Sequence, residues 1–409
     1  MRPVLLICAL FPVLAWAASA PRQPKLVAVR FGVLVDGRGG VIKDAVVVIA
    51  GDRITSVGAG DAAVPAGAAV IDLRRYTGIP GLIDAHTHIT YYWDGAPGTQ
   101  PRGRRATPTT VDDVLTNGRR TLETGVTTVR DLGASRGLDY AARDAVNAGT
   151  TIGPRMFVAG QGISAGRGGP NPDAMRRQAE ARVTAGSDWV KLYGSRGSFE
   201  SVETTQTVTF EEMKAVVEAA HALGHKVAIH SYGPSGVKDA VLAGADSVEH
   251  GIDLDEETLR EMVTRGTVWV PTIDHNRYYV DAKDEYGFAP ETIAPLQAYI
   301  VKNLESTKRA VAAGVKIAMG SDAVYSMFGQ NTRELGWMIK AGMTPAQALA
   351  TATTVPAALL GHENDLGCVA PGAYADLVAV DGDPLADIDV VIHRVVWVMK
   401  GGVAVVDQR

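Results

Sequence analysis

An apolar run early in the chain ends in two histidines that are one residue apart. The run covers residues 78–88 and reads GIPGLIDAHTH, so that His86 and His88 close it. Side chains two positions apart on a β-strand point to the same face, and both imidazoles can therefore reach one point. Imidazole nitrogen is a common ligand of zinc and of other transition metals. The pair predicts part of a metal site at the end of a strand.

Other apolar runs predicted as strands also end in ionisable side chains, namely Lys191, His230, His250 and Asp322. Strands buried in a parallel sheet are apolar throughout, so each of these side chains needs a chemical reason to be there. The carboxyl ends of the strands of a parallel barrel open on one mouth, where these groups would join the histidine pair. Four imidazoles, a carboxylate and a lysine at one mouth predict a metal centre.

Strand and helix signals alternate through the middle of the chain, which predicts the scaffold for this centre. Strands are predicted at residues 78–88, 126–131, 155–159, 189–193, 227–230, 247–250, 268–270 and 316–322. Helices are predicted at residues 136–148, 173–185, 210–223, 236–243 and 255–265, and a long loop after the seventh strand precedes a helix near residues 295–313. Eight such units indicate an α/β fold, a (β/α)8 TIM barrel over residues 78–361.

The two ends of the chain show short strands and turns without a helical period. Residues 25–76 and 375–406 are each too small to be stable alone as a β-structure. The N-terminal unit is predicted to be antiparallel, and residues 390–399 are predicted as a strand of the C-terminal unit. We expect both ends to pair in a discontinuous β-sandwich domain of residues 21–77 and 362–409.

The first 20 residues have the pattern of a secretory signal peptide. Arg2 precedes an apolar run from Val4 to Leu14 and then small residues, and this run is shorter than the roughly 20 residues that span a bilayer. We therefore expect a secreted or periplasmic protein without a membrane span.

Cys8 leaves with the leader, so Cys368 has no partner for a disulfide. The net charge of −5 has no basic block, which argues against a nucleic-acid partner.

The motifs PGLIDAHTH, DWVKLY, HSYG, VEHG and MGSDA, in this order, resemble those of the amidohydrolase superfamily. The resemblance covers essentially all of the mature chain and is greatest to Xaa-Pro dipeptidases, imidazolonepropionase-like hydrolases and ochratoxin-type amidohydrolases. It implies two Zn²⁺ or other divalent ions bridged by a carbamylated Lys191. One ion would be held by His86, His88 and Asp322, and the other by His230 and His250.

The ligand chemistry implies a hydrolytic mechanism. Two adjacent cations would turn a bridging water into hydroxide and polarise the scissile carbonyl. Asp322, as the catalytic residue, would take the proton during attack and pass it to the leaving nitrogen. We expect cleavage of an amide bond in a dipeptide or an N-acyl amino acid, including ochratoxin-like amides.

Substrate specificity is expected from the loops at the mouth. The predicted substrate-binding residues are Tyr91, Arg167, Tyr232 and His275, and the first loop adds Tyr92, Trp93, Arg102, Arg104 and Arg105. For His275, a substrate contact and a place in a solvated loop stay equally open. Aromatic surface with guanidinium groups favours a substrate that has a free carboxylate. Residues 166–169, GRGG, depart from the family pattern, in which a histidine often follows the glycines, and leave the side-chain preference open.

Two alternatives compete with this hypothesis. A mononuclear imidazolonepropionase or deaminase-like hydrolase has no use for Lys191, whereas a lactonase or phosphotriesterase would use a similar centre. A non-enzymatic scaffold would be expected to have lost ligands, and none is missing.

The remaining histidines are interpreted as polar residues away from the mouth: His221, His225, His362 and His393. A small-molecule or dipeptide substrate and a homo-oligomer are expected.

Overall fold

The computed structural model describes residues 25–96, 98–101, 109–134, 136–166, 168–198 and 201–409. The predicted leader and four arginines of the predicted mouth lie outside the described residues: Arg102, Arg104, Arg105 and Arg167. None of the helices in the described ranges has an apolar stretch of the length that a bilayer crossing requires.

The strands in these ranges are β1 Leu26–Val35, β2 Val41–Ala50, β3 Arg53–Ala59, β4 Ala69–Pro80, β5 Leu82–Thr87, β6 Val126–Asp131, β7 Arg155–Val158, β8 Ile163–Ser164, β9 Trp189–Tyr193, β10 Lys226–His230, β11 Ser247–Glu249, β12 Val268–Val270, β13 Leu377–Val380, β14 Val395–Lys400 and β15 Val403–Asp407. The α-helices are α1 Val111–Glu123, α2 Leu138–Asn147, α3 Pro172–Thr184, α4 Phe210–Ala222, α5 Pro234–Ala243, α6 Glu256–Arg265, α7 Ile273–Asp281, α8 Lys283–Tyr286, α9 Pro290–Ala313, α10 Glu334–Lys340, α11 Pro345–Thr351, α12 Thr354–Leu360 and α13 Asp389–His393. Short 3₁₀ helices cover Asp61–Ala63, Tyr325–Met327 and Asn331–Arg333.

The two ends of the chain pair in one seven-stranded sheet. Its strand order is β15-β14-β13-β4-β1-β2-β3, and the junction is the antiparallel pair of β13 with β4, in which Leu377 lies opposite Pro80. Two details of the prediction are wrong. The N-terminal unit is not purely antiparallel, because β1 and β4 run parallel. Residues 389–393, which overlap a predicted strand, form the helix α13.

Two parallel sheets occupy the middle of the chain. One has the order β12-β11-β10-β9-β8 and the other β5-β6-β7, and the strands that carry His86 and Lys191 are almost entirely buried. Burial on both faces explains why these strands have continuous apolar runs in the sequence. The carboxyl ends of β5, β9, β10 and β11 are therefore the positions at which polar side chains need explaining.

The predicted strand at residues 316–322 is not a continuous strand. It forms only isolated parallel bridges, from Ile317 to β12 and from Ala323 to β5. Gly320 explains the local irregularity, because a Cβ atom there would lie 2.3 Å from Val270 Cγ1 and 2.8 Å from His86 Cβ. A glycine thus lets this segment pass closely between the two sheets and bring Asp322 beside the histidines.

Amphipathic helices cover the parallel sheets, and α4 shows how the sequence specifies them. Thr209 and Glu212 form a capping box at its N-terminus. Its buried residues include Met213, Val216 and Ala220, which recur at the helical spacing of three to four. The prediction of this helix is confirmed to within one residue at its end.

The predicted long loop after the seventh strand is wrong, because residues 273–286 form α7 and α8 and α9 begins at Pro290. Most residues of α7 are buried, so the segment has no amphipathic period that would reveal a helix. The backbone N–H groups of Ile273 and Asp274 donate to the carboxylate of Glu334, at 2.9 and 2.7 Å. This cap comes from a distant part of the chain and has no local signature.

Candidate metal centre

The predicted ligands lie together at the carboxyl ends of the parallel strands, all of them buried: His86, His88, Lys191, His230, His250 and Asp322. One potential ligand atom from each of His86, His88 and Asp322 lies within 4.8 Å of the other two. Asp322 Oδ1 is 3.1 Å from His88 Nε2 and 3.5 Å from His86 Nε2. These three side chains form a compact set of the type that binds a transition metal.

His230 and His250 continue the set on its other side. Their ring centroids are 4.6 Å apart, and the His250 ring lies 5.2 Å from that of His86. Lys191 lies in the same interior, 1% exposed, and after burial its charge is the next cause that lowers the pKa values of His86 and His230. All six predicted ligands are thus neighbours in the structure.

Three of the imidazoles are oriented by a hydrogen bond at Nδ1. The partners of Nδ1 are Glu249 Oε2 for His86 at 2.8 Å and the Gly133 carbonyl for His88 at 3.0 Å, which can only accept, and the Thr272 hydroxyl for His250 at 2.6 Å. With Nδ1 as the donor, the neutral ring keeps its lone pair on Nε2. This arrangement is typical of histidines that bind a metal through Nε2.

Unpaired buried atoms test whether the residues present fit a cation. His86 Nε2 and Lys191 Nζ are buried without a hydrogen-bond partner, and Asp322 Oδ1 has none of good geometry although it lies 3.1 Å from His88 Nε2. A buried polar atom without a partner costs about 1–3 kcal/mol, so such atoms at one place need an explanation. A cation would satisfy the imidazole nitrogen and the carboxylate oxygen, and these residues fit one.

An ammonium group on Lys191 does not fit beside a cation, but an uncharged amine does. Burial lowers the pKa of Lys191 to about 8, against the opposing effects of Glu249 and Asp322. The neutral amine is therefore far easier to reach near neutral pH than for an exposed lysine, and this is the form that reacts with electrophiles.

The backbone is strained at the centre itself. His250, Thr272 and Asp322 have φ of 65°, 50° and 51°, in the left-handed region. This conformation costs a non-glycine residue about 1–2 kcal/mol, so the surrounding structure must hold it in place. At His250 the unusual φ breaks the strand alternation, and His250 and its neighbour Glu249 both reach the interior.

A cavity of about 310 Å³ opens above the centre. Tyrosines form much of its wall: Tyr91, Tyr193, Tyr232, Tyr279 and Tyr325. Tyr91 stacks on His88 at 5.0 Å between centroids, and the Tyr232 ring is 4.9 Å from that of His250. The residues predicted to bind substrate at positions 91, 232 and 275 all line this cavity. No arginine or lysine is among its described lining residues, and Arg167 lies outside the described ranges.

His275 belongs to α7 and is 4% exposed, so the solvated loop, one of the two alternatives left open for it, is wrong. Its Nδ1 donates to the backbone carbonyl of Asp322 at 2.8 Å, and its Nε2 lies 3.2 Å from Asp322 Oδ2. The side chain therefore lines the cavity and also contacts the carboxylate of the centre.

His221 and His225 contact residues outside the centre. His221 Nε2 pairs with Asp246 at 2.8 Å, and His225 Nδ1 bonds the Asp188 carbonyl at 3.2 Å. A larger cavity, of about 620 Å³, lies at the opposite ends of the strands beside His221 and holds none of the predicted site residues. Its size does not make it the better candidate, because it lacks a buried group of ligands.

Sequence reasoning missed several residues of the site. Tyr193 fills space left by Gly133 and Gly162, where a Cβ atom would lie 2.4 and 2.3 Å from its side chain, and short-range patterns do not show such a fit. Arg130 and Glu249 are charged residues inside apolar runs, and that signal was available in TTVRD and VEHG. Burial alone would raise the pKa of Glu249, but Arg130 and His86 lower it to about 2.

The fold and the site together define the class of protein. The profile of the amidohydrolase family matches residues 77–405, and the chain belongs to this family. The resemblance seen in the motifs is confirmed.

The relatives refine this assignment. An ochratoxinase from Aspergillus niger is 29% identical over 437 residues, covering 93% of this chain and 86% of that protein. An imidazolonepropionase from Streptomyces avermitilis is 26% identical over 382 residues, covering 84% of this chain and 82% of the relative. A solved Xaa-Pro dipeptidase with bound methionine has 30% identity and a TM-score of 0.84, covering 93% of this chain and 99% of that chain.

Proposed function

We propose that the protein is an exported, binuclear metal-dependent amidohydrolase that cleaves the amide bond of a dipeptide or an N-acyl amino acid, ochratoxin-like amides included. The observation that carries the proposal is the buried cluster of four imidazoles, Asp322 and Lys191 beneath a tyrosine-lined cavity. The family membership and the relatives named ochratoxinase and Xaa-Pro dipeptidase support it.

In this proposal the two parallel sheets close into one (β/α)8 barrel. The two ends of the chain form a β-sandwich as a second domain. Residues 316–323 would complete the ring. The backbone N–H of Ala318 donates to Trp269 at 3.0 Å and that of Ala85 to Met319 at 2.9 Å. On the other side, Asp188 N donates to the Val158 carbonyl at 2.7 Å. Bonds of this kind support a closed arrangement, with the centre at the carboxyl ends of the strands.

His86, His88 and Asp322 would hold one divalent cation, and His230 and His250 the second. The neutral amine of Lys191 would attack the carbon of CO2. An N–C bond forms, one C=O π pair moves to oxygen, and the nitrogen loses a proton to water. The resulting carbamate would carry one negative charge shared over two oxygens, which could serve both cations. When bound, the cations supply Lewis-acid polarisation of a carbonyl and a lowered pKa for water.

The side chains of the centre and the cavity would transfer the proton and bind the substrate. Burial alone would raise the pKa of Asp322, but the nearby histidines, His275 first, hold it well below its usual range. Asp322 is therefore ionised and can accept a proton from the attacking water and deliver it to the leaving nitrogen. His275 holds this carboxylate in place, while Tyr91 and Tyr232 orient the substrate and exclude bulk water.

A mononuclear, imidazolonepropionase-like hydrolase is the second candidate. The compact set of His86, His88 and Asp322 favours it, because these three residues alone fit one ion. It leaves Lys191 Nζ buried without a partner, whereas the binuclear proposal gives that atom a role.

A substrate panel tests the proposed function. We expect zinc-loaded protein to hydrolyse dipeptides or N-acyl amino acids with a catalytic efficiency at least about tenfold above that for lactones and phosphotriesters, because Asp322 would protonate a leaving nitrogen that those substrates lack. Imidazolonepropionate completes the panel. Liquid chromatography of the products measures this. Turnover confined to imidazolonepropionate would favour the mononuclear candidate instead.

Export is tested separately, at the N-terminus. The proposed signal peptide predicts a mature chain that starts near Ala18 or Pro21 when the protein is produced in a bacterial host with a periplasm. Intact-mass spectrometry of the periplasmic fraction measures the start, and a chain that keeps Met1 would contradict export. The homo-oligomer stays a prediction.

A further inference from the structure

We infer that Glu249 and Arg130 are positioning residues that hold His86 in the orientation its place at the metal centre requires. The inference rests on the proposed function, and it adds a buried charged pair to the residues that metal binding depends on.

Glu249 contacts His86 directly from the side away from the ligand cluster. Its Oε2 accepts the hydrogen bond from His86 Nδ1 at 2.8 Å. Its Oε1 accepts from Arg130 Nη2 at 2.9 Å and from the Ser247 hydroxyl at 2.5 Å. All four side chains are fully buried. The carboxylate therefore has one oxygen for the imidazole and one for its own anchors.

Arg130 holds the strand of His86 as well as this carboxylate. Its Nε donates to the carbonyl of Ala85 at 2.6 Å, and its Nη1 donates to the Ser247 hydroxyl at 2.8 Å. Its guanidinium lies over the Trp189 ring, 4.4 Å from the centroid. One planar, rigid group thus positions both the backbone before His86 and the acceptor for its ring.

Stability alone is a poor explanation for this pair. Desolvation makes a buried ion pair no more stabilising, in general, than apolar residues of similar volume. Apolar side chains of similar volume would carry no such desolvation cost. The pair does have a chemical consequence, because an anion on Nδ1–H fixes the tautomer and makes Nε2 a better electron donor. His86 Nε2 is the atom left without a partner on the cavity side.

Two adjacent residues at the end of β11 act on the two predicted metal sites. Glu249 orients His86, and the next residue, His250, is itself a predicted ligand whose left-handed φ of 65° turns it to the same interior. A change at Glu249 is therefore expected to act on metal binding before it acts on the substrate, since Glu249 does not line the cavity.

Glu249→Gln tests the inference with little change in volume. The amide keeps an oxygen for Nδ1–H but loses the charge, and its NH2 group would then face the donors of Arg130 and Ser247. We expect zinc affinity, measured by chelator competition, to fall about 10–100-fold. The visible absorption spectrum of the cobalt-substituted protein should shift, while KM changes less than kcat. Arg130→Lys should also lower zinc affinity, because an ammonium cannot reproduce the planar set of guanidinium N–H donors that bonds Glu249, Ser247 and the Ala85 carbonyl.

Asp376→Asn is the matched control, since Asp376 is a buried carboxylate 3.7 Å from Arg155 and outside the centre. It should leave zinc affinity and the cobalt spectrum unchanged. Should Glu249→Gln fail to fold, Ser247→Ala removes one donor to the carboxylate, and we expect it to weaken zinc binding a few-fold.

Parental zinc affinity and an unshifted cobalt spectrum in Glu249→Gln would overturn the inference, as would parental affinity in Ser247→Ala. The metal measurements compare each variant with the parent protein and need no substrate. A parent that binds zinc but cleaves no amide would contradict the proposed function and leave the comparison at Glu249 intact.

Discussion

Replacing Lys191 with alanine is expected to abolish measurable turnover and to remove much of the bound metal. The parent protein should carry about two divalent ions per chain, because two sets of ligands are predicted. Alanine removes the anionic bridge that a carbamate would provide, and the remaining imidazoles bring no negative charge to offset two dications. Elemental analysis and steady-state kinetics on the same preparations measure both effects.

Two further measurements separate a bridge from a structural lysine. Adding a short carboxylic acid to Lys191→Ala should restore part of the rate, since a small carboxylate can occupy the space beside the cations. Lys191→Arg should stay inactive, because a guanidinium keeps its charge and cannot carry the carbamate. Turnover near the parental value in Lys191→Arg would show that position 191 needs only a cation, and the mononuclear candidate would then be preferred.

Asp322→Asn is expected to lower kcat by about 10²–10⁴-fold while much of the metal stays bound. The amide cannot accept the proton of the attacking water, whereas its oxygen can still act as a ligand. The substitution also suits the backbone, because asparagine tolerates the left-handed φ of 51° at this position better than most residues do. Loss of activity would thus report the chemistry of the carboxylate and not the strain.

The matched control is Asp246→Asn at the opposite ends of the strands, where the carboxylate pairs with His221. This variant should keep the parental kcat. The ratio of kcat values, together with metal content by elemental analysis, decides the outcome. Asp322→Asn within about threefold of the parent would show that another group accepts the proton.

Much of the centre could be predicted from the sequence because each predicted ligand interrupts an apolar run. His86, Lys191 and His230 lie on buried strands, where a polar side chain stands out against its neighbours. The position of a strand in the chain also predicts which end of the sheet its last residue reaches. These signals are local, and they predicted the cluster without any knowledge of distances.

Other features could not be predicted because they depend on contacts between distant residues. The helix α7 is capped by Glu334, so nothing within residues 272–281 marks its start. His275 was consequently assigned to a loop, although it packs against Asp322. The approach of residues 316–323 to both sheets depends on Gly320 fitting against His86, which only the folded structure shows.

The order of strands in the seven-stranded sheet has a consequence for biosynthesis. β4 leads directly into β5, which carries His86, and the neighbour of β4 on one side is β13. A ribosome makes β4 early and β13 only after almost the whole chain, so one edge of β4 stays unpaired for most of translation. Non-local pairing of this kind slows folding and exposes strand edges in the meantime. The seven-stranded sheet, whose strand β4 leads into the strand of His86, is therefore completed last. Nascent chains that stop before β13 cannot assemble it.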